Sequence, residues 1–269
     1  MKRSTVLLVL AAGPLLVACG KLILDATGGP DPMVVVTPNP LTNSLVAHYR
    51  LDEDGGTIVH DTSGNKRDGI LTLGGGMWLF EGGVFGGALH FSGNDFMTVD
   101  NFPNATPDFT VSAWVRLAVP PNGFGTLLST ETLYDGGWQF NLEPWDSGIA
   151  AHFAYWDSRE GGVQGDPQPP LTILRCSCIV PNQWMHLVSV VDNTAHTLSL
   201  YVDGTLAGPP RQGVPAILPG APSLYVGTWS GPNGGRFLVG DVDDVTIYGR
   251  VLQPSEVLAL ESSPPPDVP

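Results

Sequence analysis

Through the middle of the chain, apolar residues recur at every second position, the pattern of a strand with one face on a core. Phe109, Val111, Ala113 and Val115 alternate with Thr110, Ser112, Trp114 and Arg116, and Leu198, Leu200 and Val202 alternate with Thr197, Ser199 and Tyr201. The second run ends in Asp203-Gly204, a two-residue hairpin signal leading into Thr205 and Leu206. Val242 to Tyr248 is a further β-branched run. One helix is predicted near the C-terminus. Pro254 suits its first position, Glu256 its first turn, and Val257, Leu258, Ala259 and Leu260 its body, although Gln253 is a poor cap. Many short strands with Gly and Pro between them predict an all-β fold, a two-sheet antiparallel jelly-roll sandwich with one short C-terminal helix. Residues 44–261 form one domain's length, and no repeat period marks a propeller or solenoid.

Composition agrees. The 269 residues include 34 Gly and 25 Pro, which excludes an architecture of long helices. Twelve basic residues against 26 acidic ones give a net charge of −14, which argues against a nucleic-acid partner and against docking on anionic lipid by charge alone.

The N-terminus predicts export. Lys2 and Arg3 precede an apolar stretch from Val6 to Val17, interrupted by Gly13 and Pro14 and too short to span a bilayer comfortably. Its end, Leu16-Val17-Ala18-Cys19-Gly20, resembles the bacterial lipobox, which implies a signal peptide over 1–18 and a diacylglycerol on Cys19. Acyl chains anchor by burying methylenes, so lipid is the expected membrane attachment. Gly20 after the cysteine resembles Gram-negative lipoproteins sent to the outer membrane, so the expected location is the bacterial cell envelope. Residues 19–43 read as the lipidated end and a Pro-containing tether, and 262–269 as a disordered Pro-rich tail. Export permits disulfides. Cys176 and Cys178, two residues apart, would need a bend in the strand to bond, and two free thiols are the other reading.

A series of landmarks in order resembles the laminin G-like domain of the concanavalin A-like jelly rolls, in its bacterial form. It opens with Leu45-Val46-Ala47-His48-Tyr49-Arg50-Leu51-Asp52-Glu53 and Asp61-Thr62-Ser63-Gly64-Asn65. It continues through Gly86-Gly87-Ala88-Leu89-His90-Phe91, Phe109 to Val115, and Gln183-Trp184-Met185-His186. Leu200 to Gly204 and Gly240 to Arg250 complete it, so the resemblance covers roughly 45–260. It implies the fold more firmly than a ligand, because function belongs to a site and not to its scaffold.

That resemblance implies a structural Ca2+ held between the Asp61 loop and the late Asp-Asp strand. Small residues and Gly64 let a loop curl carbonyls and a carboxylate around a hard cation. If Val245 and Ile247 face the core, Asp243 shares their face, which makes it the partner of Asp61, with Asn65 and Asp244 as additions. An Asx turn at Asp61 and ordinary surface charge at Asp243-Asp244 is the alternative. Catalysis is not expected: no Glu-x-Asp-x-Glu strand and no Gly-x-Ser-x-Gly elbow occurs, and His60, His152, His186 and His196 are scattered.

Binding is the expected activity. Trp145, Tyr155, Trp156 and Trp229 lie in Gly- and Pro-rich surroundings, and sugar rings stack on aromatic faces while neighbouring carboxylates and amides take their hydroxyls. Each ring could instead fill the core. The expected partner is a glycan or glycoprotein, with a structural envelope protein binding another protein as the alternative.

Overall fold

A computed structural model describes residues 39–103, 108–118, 121–131, 136–146, 148–157, 171–231 and 235–268. The signal peptide, Cys19 and most of the tether therefore lie outside the described residues. In chain order the first strands are β1 (Leu45–Tyr49), β2 (Ile58–Val59), β3 (Gly69–Thr72), β4 (Met77–Leu79), β5 (Ala88–Ser92) and β6 (Phe96–Asp100). Next come β7 (Phe109–Arg116), β8 (Gly125–Ser129), β9 (Trp138–Trp145), β10 (Gly148–Trp156), β11 (Leu171–Ile179) and β12 (Trp184–Asp192). The chain ends with β13 (Thr197–Val202), β14 (Thr205–Leu206), β15 (Arg211–Gln212), β16 (Ser223–Val226), β17 (Val239–Tyr248) and the helix α1 (Pro254–Ser262).

Two antiparallel sheets form from these strands. The first runs β14-β13-β12-β7-β17-β5-β4, with β1 beside β17 and β15 beside β13; the second runs β11-β10-β9-β8-β16-β6-β3-β2. Alternation puts Val111, Ala113, Val115 and Leu187 of the first sheet and Phe140, Leu142 and Phe153 of the second into one buried cluster. The predicted hairpin is present: Val202 pairs with Thr205 across Asp203 and Gly204, both at positive φ, as a primed two-residue turn requires.

The central strands of the first sheet, β7, β12 and β17, are buried on both faces. Thr110, Ser112 and Trp114, which alternate with the core residues of β7, are covered as fully as their neighbours. Their cover is α1 and the segment before β5. Val188, Val190 and Tyr248 on the outer face join Leu41, Leu252, Val257 and Leu260 in a second apolar cluster. Gln253 is indeed a weak cap by itself, and Glu256 compensates. Its carboxylate accepts from the backbone N–H of Gln253 at 2.8 Å and from Arg250 through Nη1 (2.8 Å) and Nη2 (2.7 Å).

Both ends of the domain are tied in. Leu41, within a short 3-10 turn at Pro40–Thr42, is buried in the helix cluster, so packing begins before residue 44. Where composition pointed to a disordered tail, the Val268 N–H donates to the Thr62 carbonyl at 2.9 Å and Pro265 is buried.

Candidate functional site

On β9 the outward positions alternate with the core positions Trp138, Phe140 and Leu142, and they are Gln139, Asn141 and Glu143. On β10, His152 pairs directly with Asn141, and Arg175 of β11 pairs with His152. These side chains form one continuous string. The Arg175 Nε donates to Glu143 Oε1 at 2.5 Å, and His152 Nδ1 lies 2.8 Å from the same oxygen. Asn141 Nδ2 lies 3.0 Å from His152 Nε2 and donates to Gln139 Oε1 at 2.8 Å. The Thr126 hydroxyl donates to Asn141 Oδ1 at 2.7 Å, and Arg236 Nη1 donates to Gln139 Oε1 at 3.0 Å.

That string fixes the histidine's state. With an N–H of Asn141 aimed at Nε2, the imidazole accepts there and donates from Nδ1 to Glu143, which is the neutral tautomer. Burial holds its pKa below the ordinary value; Glu143 pulls it back up, and the guanidiniums of Arg175 and Arg236 push it down again. Thr126, Gln139, Asn141, Glu143 and His152 are all buried. They are therefore a hydrogen-bonded foundation for the groups above them.

Above it lie two exposed aromatic rings and two half-buried guanidiniums. The Arg175 Cζ sits 4.0 Å from the centroid of Trp145, which is 42% exposed. At the other end, the Arg236 Cζ lies 4.1 Å from the Trp229 ring and 4.9 Å from that of Phe124, which is 39% exposed and meets His152 edge-on at 5.6 Å. Cation–π contact and one hydrogen bond hold each guanidinium, and the described contacts leave its other N–H donors unused.

The four aromatic residues expected to meet a ligand divide. Trp145 is the exposed platform. Tyr155 is a core residue: alternation along β10 turns it inward with Phe153, and its hydroxyl donates to the Pro215 carbonyl at 2.9 Å. Trp156 and Trp229 are 7% and 5% exposed, so neither offers a free ring face; Trp229 supports Arg236 from below. Sequence reading missed Phe124, Arg175, Arg236 and the polar string. The signal was the period-two run Gln139, Asn141, Glu143 set between large apolar residues.

The four expected metal ligands do not form one set. Asp61 closes an Asx turn, its Oδ1 accepting from the N–H of Ser63 (3.0 Å) and His48 (3.1 Å) and its Oδ2 from Arg67 (2.9 Å). Asn65 donates to the Leu45 carbonyl at 2.8 Å, and Asp244 Oδ1 lies 2.6 Å from the buried His48 Nε2. Asp243 does not share the face of Val245 and Ile247. Between the pairs Asp243–Trp114 and Thr246–Ser112, β17 advances one residue more than β7, a bulge in which Asp244 takes φ 47°. The extra residue restores Val245 to the core and leaves Asp243 opposite Trp114, facing outward. There its Oδ2 accepts from Val84 (2.6 Å) and Phe85 (3.1 Å), while Oδ1 is buried without a hydrogen-bond partner among the described residues. Burial raises its pKa to about 6. Among the described residues no group of three or more His, Cys, Asp or Glu is placed to hold a metal ion.

Cys176 and Cys178 are joined as a disulfide, with alpha carbons 5.2 Å apart. The bend it needs is a second bulge: from Ile149–Ile179 to Ala151–Cys176, β11 advances three residues while β10 advances two.

Comparison with known proteins adds the lineage. Domain 4 of AbnA, a GH43 extracellular arabinanase from Geobacillus stearothermophilus, solved in complex with arabinotriose, is 22% identical with a TM-score of 0.60, covering 81% of this chain and 98% of that one. A botulinum neurotoxin serotype D binding domain is 14% identical with a TM-score of 0.60, covering 83% of this chain and 53% of its own. A serotype D ligand binding domain in complex with N-acetylneuraminic acid is 14% identical with a TM-score of 0.59, covering 82% and 51%. The chain thus spans about half the length of these toxin domains, and at such identities the likeness is one of fold. No curated protein matches the chain. The family model Laminin_G_3, described as the concanavalin A-like lectin/glucanases superfamily, matches residues 91–258, and the chain belongs to that superfamily.

Proposed function

We propose that this protein is a non-catalytic carbohydrate-recognition module, tethered to the bacterial envelope through lipid on Cys19, that binds glycan on the outer face of its second sheet. The observation that carries the reading is the exposed ring of Trp145, braced on Arg175, at one end of the buried polar string, with Phe124 and Arg236 at the other. Exposed aromatics beside fixed N–H donors suit a sugar, whose C–H face stacks while its hydroxyls accept. Solved structures of the same fold include complexes with arabinotriose and with N-acetylneuraminic acid, which supports the class of ligand. Hydrolysis is disfavoured at this face: glycosidases use two opposed carboxylates, and Glu143, the one carboxylate of the string, is committed to Arg175 and His152.

A glycan array probed with the domain tests the reading. Saturable binding that Trp145→Ala reduces by roughly tenfold supports it, the size of a lost aromatic contact. Silence across the array would favour the alternative, a structural envelope protein whose partner is another protein. Mass spectrometry of the mature terminus tests the anchor separately, since an unacylated Cys19 would remove the membrane from the account.

A further inference from the structure

We infer that the Arg236 end of this face is a subsite for the carboxylate of an acidic sugar, a uronate or a sialate, and that the domain selects charged glycans over neutral ones. The inference deepens the carbohydrate reading and rests on it.

The two guanidiniums are built differently. Arg175 has a carboxylate, Glu143, at 2.5 Å, so that end of the string is electrically balanced. Arg236 bonds to an amide, Gln139, four residues earlier on the same strand, and among the described residues no carboxylate lies within 4 Å of it. The histidine between them is held neutral by its hydrogen bonds, so it adds no charge to the balance. The string therefore carries two cations against one anion, on a protein with 26 acidic and 12 basic residues. Arg67 and Arg211 also lack a carboxylate partner among the described residues, but they donate to the carbonyls of Val46 and Ile173, whereas Arg236 lies over the rings of Trp229 and Phe124.

The neutral partners also leave Arg236 free to bind. A guanidinium has five N–H donors, and the described contacts of Arg236 use one, toward Gln139. Its guanidinium carbon lies over the rings of Trp229 and Phe124, which strip water from the cation without neutralising it. A carboxylate is the ligand that matches a planar fork of donors two at a time, a geometry that a sugar hydroxyl cannot reproduce. Phe124 beside it keeps exposed surface on which the ring bearing that carboxylate can rest.

The experiment pairs each acidic sugar with a neutral twin. Titration calorimetry of the domain with trigalacturonate and its methyl ester, and with 3′-sialyllactose and lactose, separates uronate from sialate. The acidic member of at least one pair is expected to bind roughly tenfold tighter than its twin. That preference is expected to vanish in Arg236→Gln, to be partly kept in Arg236→Lys, which retains charge without the fork, and to shrink as salt rises from about 50 to about 500 mM. Circular dichroism melts confirm that both variants fold. Equal binding of acid and twin in both pairs, lost together in Trp145→Ala, overturns the carboxylate subsite and leaves the sugar reading standing. Failure of all four sugars and of arabinotriose to bind would sink both.

Discussion

The outer face of the first sheet is roofed by α1, with Val188, Val190 and Tyr248 packed under Val257 and Leu260, whereas the outer face of the second carries a string of polar side chains under two guanidiniums. Both faces are dry at the level of the strands, but by different means. Apolar cover seals one and offers little to a ligand. Mutual hydrogen bonding satisfies the other and leaves directional donors and aromatic surface at the top. A sandwich can therefore devote one side to stability and the other to recognition, and substitutions on the two should separate along those lines.

The sharpest separation should come from acid. His186 lies on the first face, stacked on Trp114 at 4.9 Å and bonded to Ser112 at 2.7 Å, and burial depresses its pKa from 6.5 to about 3. The stability it contributes is complete above pH 6.5 and is lost as pH falls toward 3, on the order of 5 kcal/mol in all. Asp243 works in the other direction. Its pKa is raised from 3.8 to about 6, so its contribution is full below 3.8 and is lost as pH rises through 6. Between those values the two offset, and Asp243→Asn should unmask the histidine. Melting midpoints of that variant are expected to fall steeply from pH 6.5 downward; a profile no steeper than the parent's would break the account.

Next in size is the helix cluster. Leu260→Ala should cost about 3 kcal/mol, as buried leucine truncations do, and leave sugar affinity unchanged. A loss of binding at constant fold would show that the two faces are coupled. Removing charge from the foundation of the other face reverses the pattern. Glu143→Gln is expected to cost only about 1–2 kcal/mol in denaturant titration, because Arg175 can turn to water, yet to weaken sugar binding severalfold by releasing that guanidinium. Unchanged affinity would demote Arg175 to packing. The smallest effect concerns calcium: any response of the melting midpoint to calcium is expected to survive Asp61→Asn and to disappear in Asp243→Asn, whose Oδ1 is the oxygen still lacking a partner. A response that follows Asp61 would restore the loop as the cation site.

Much of the fold was legible because alternation and turn chemistry are local. Phe109 to Val115, the Asp203-Gly204 turn and the Pro254 helix each announce themselves within a few residues. Bulges do not. The inserted residue at Asp244 inverts the face on which Asp243 falls, and nothing short of the pairing with β7 reveals it. The aromatic residues taught a similar lesson. Tyr155 and Trp156 are adjacent on one strand, so at most one could have faced the same side as Trp145, and what covers Trp156 is a long-range matter. The proposed binding face was half visible: Gln139, Asn141 and Glu143 alternate in plain sight, but Arg175 and Arg236 reach them from 32 and 97 residues away.

The kink at Cys176 and Cys178 has an outcome for the molecule's life among neighbours. β11 is the rim of the second sheet, and a straight rim of unpaired backbone groups invites another chain to zip alongside. A covalent staple spanning a doubled residue keeps that border crooked, so a foreign strand finds no run of matching donors and acceptors there. Reducing agent should accordingly make the protein stickier before it makes it unfold.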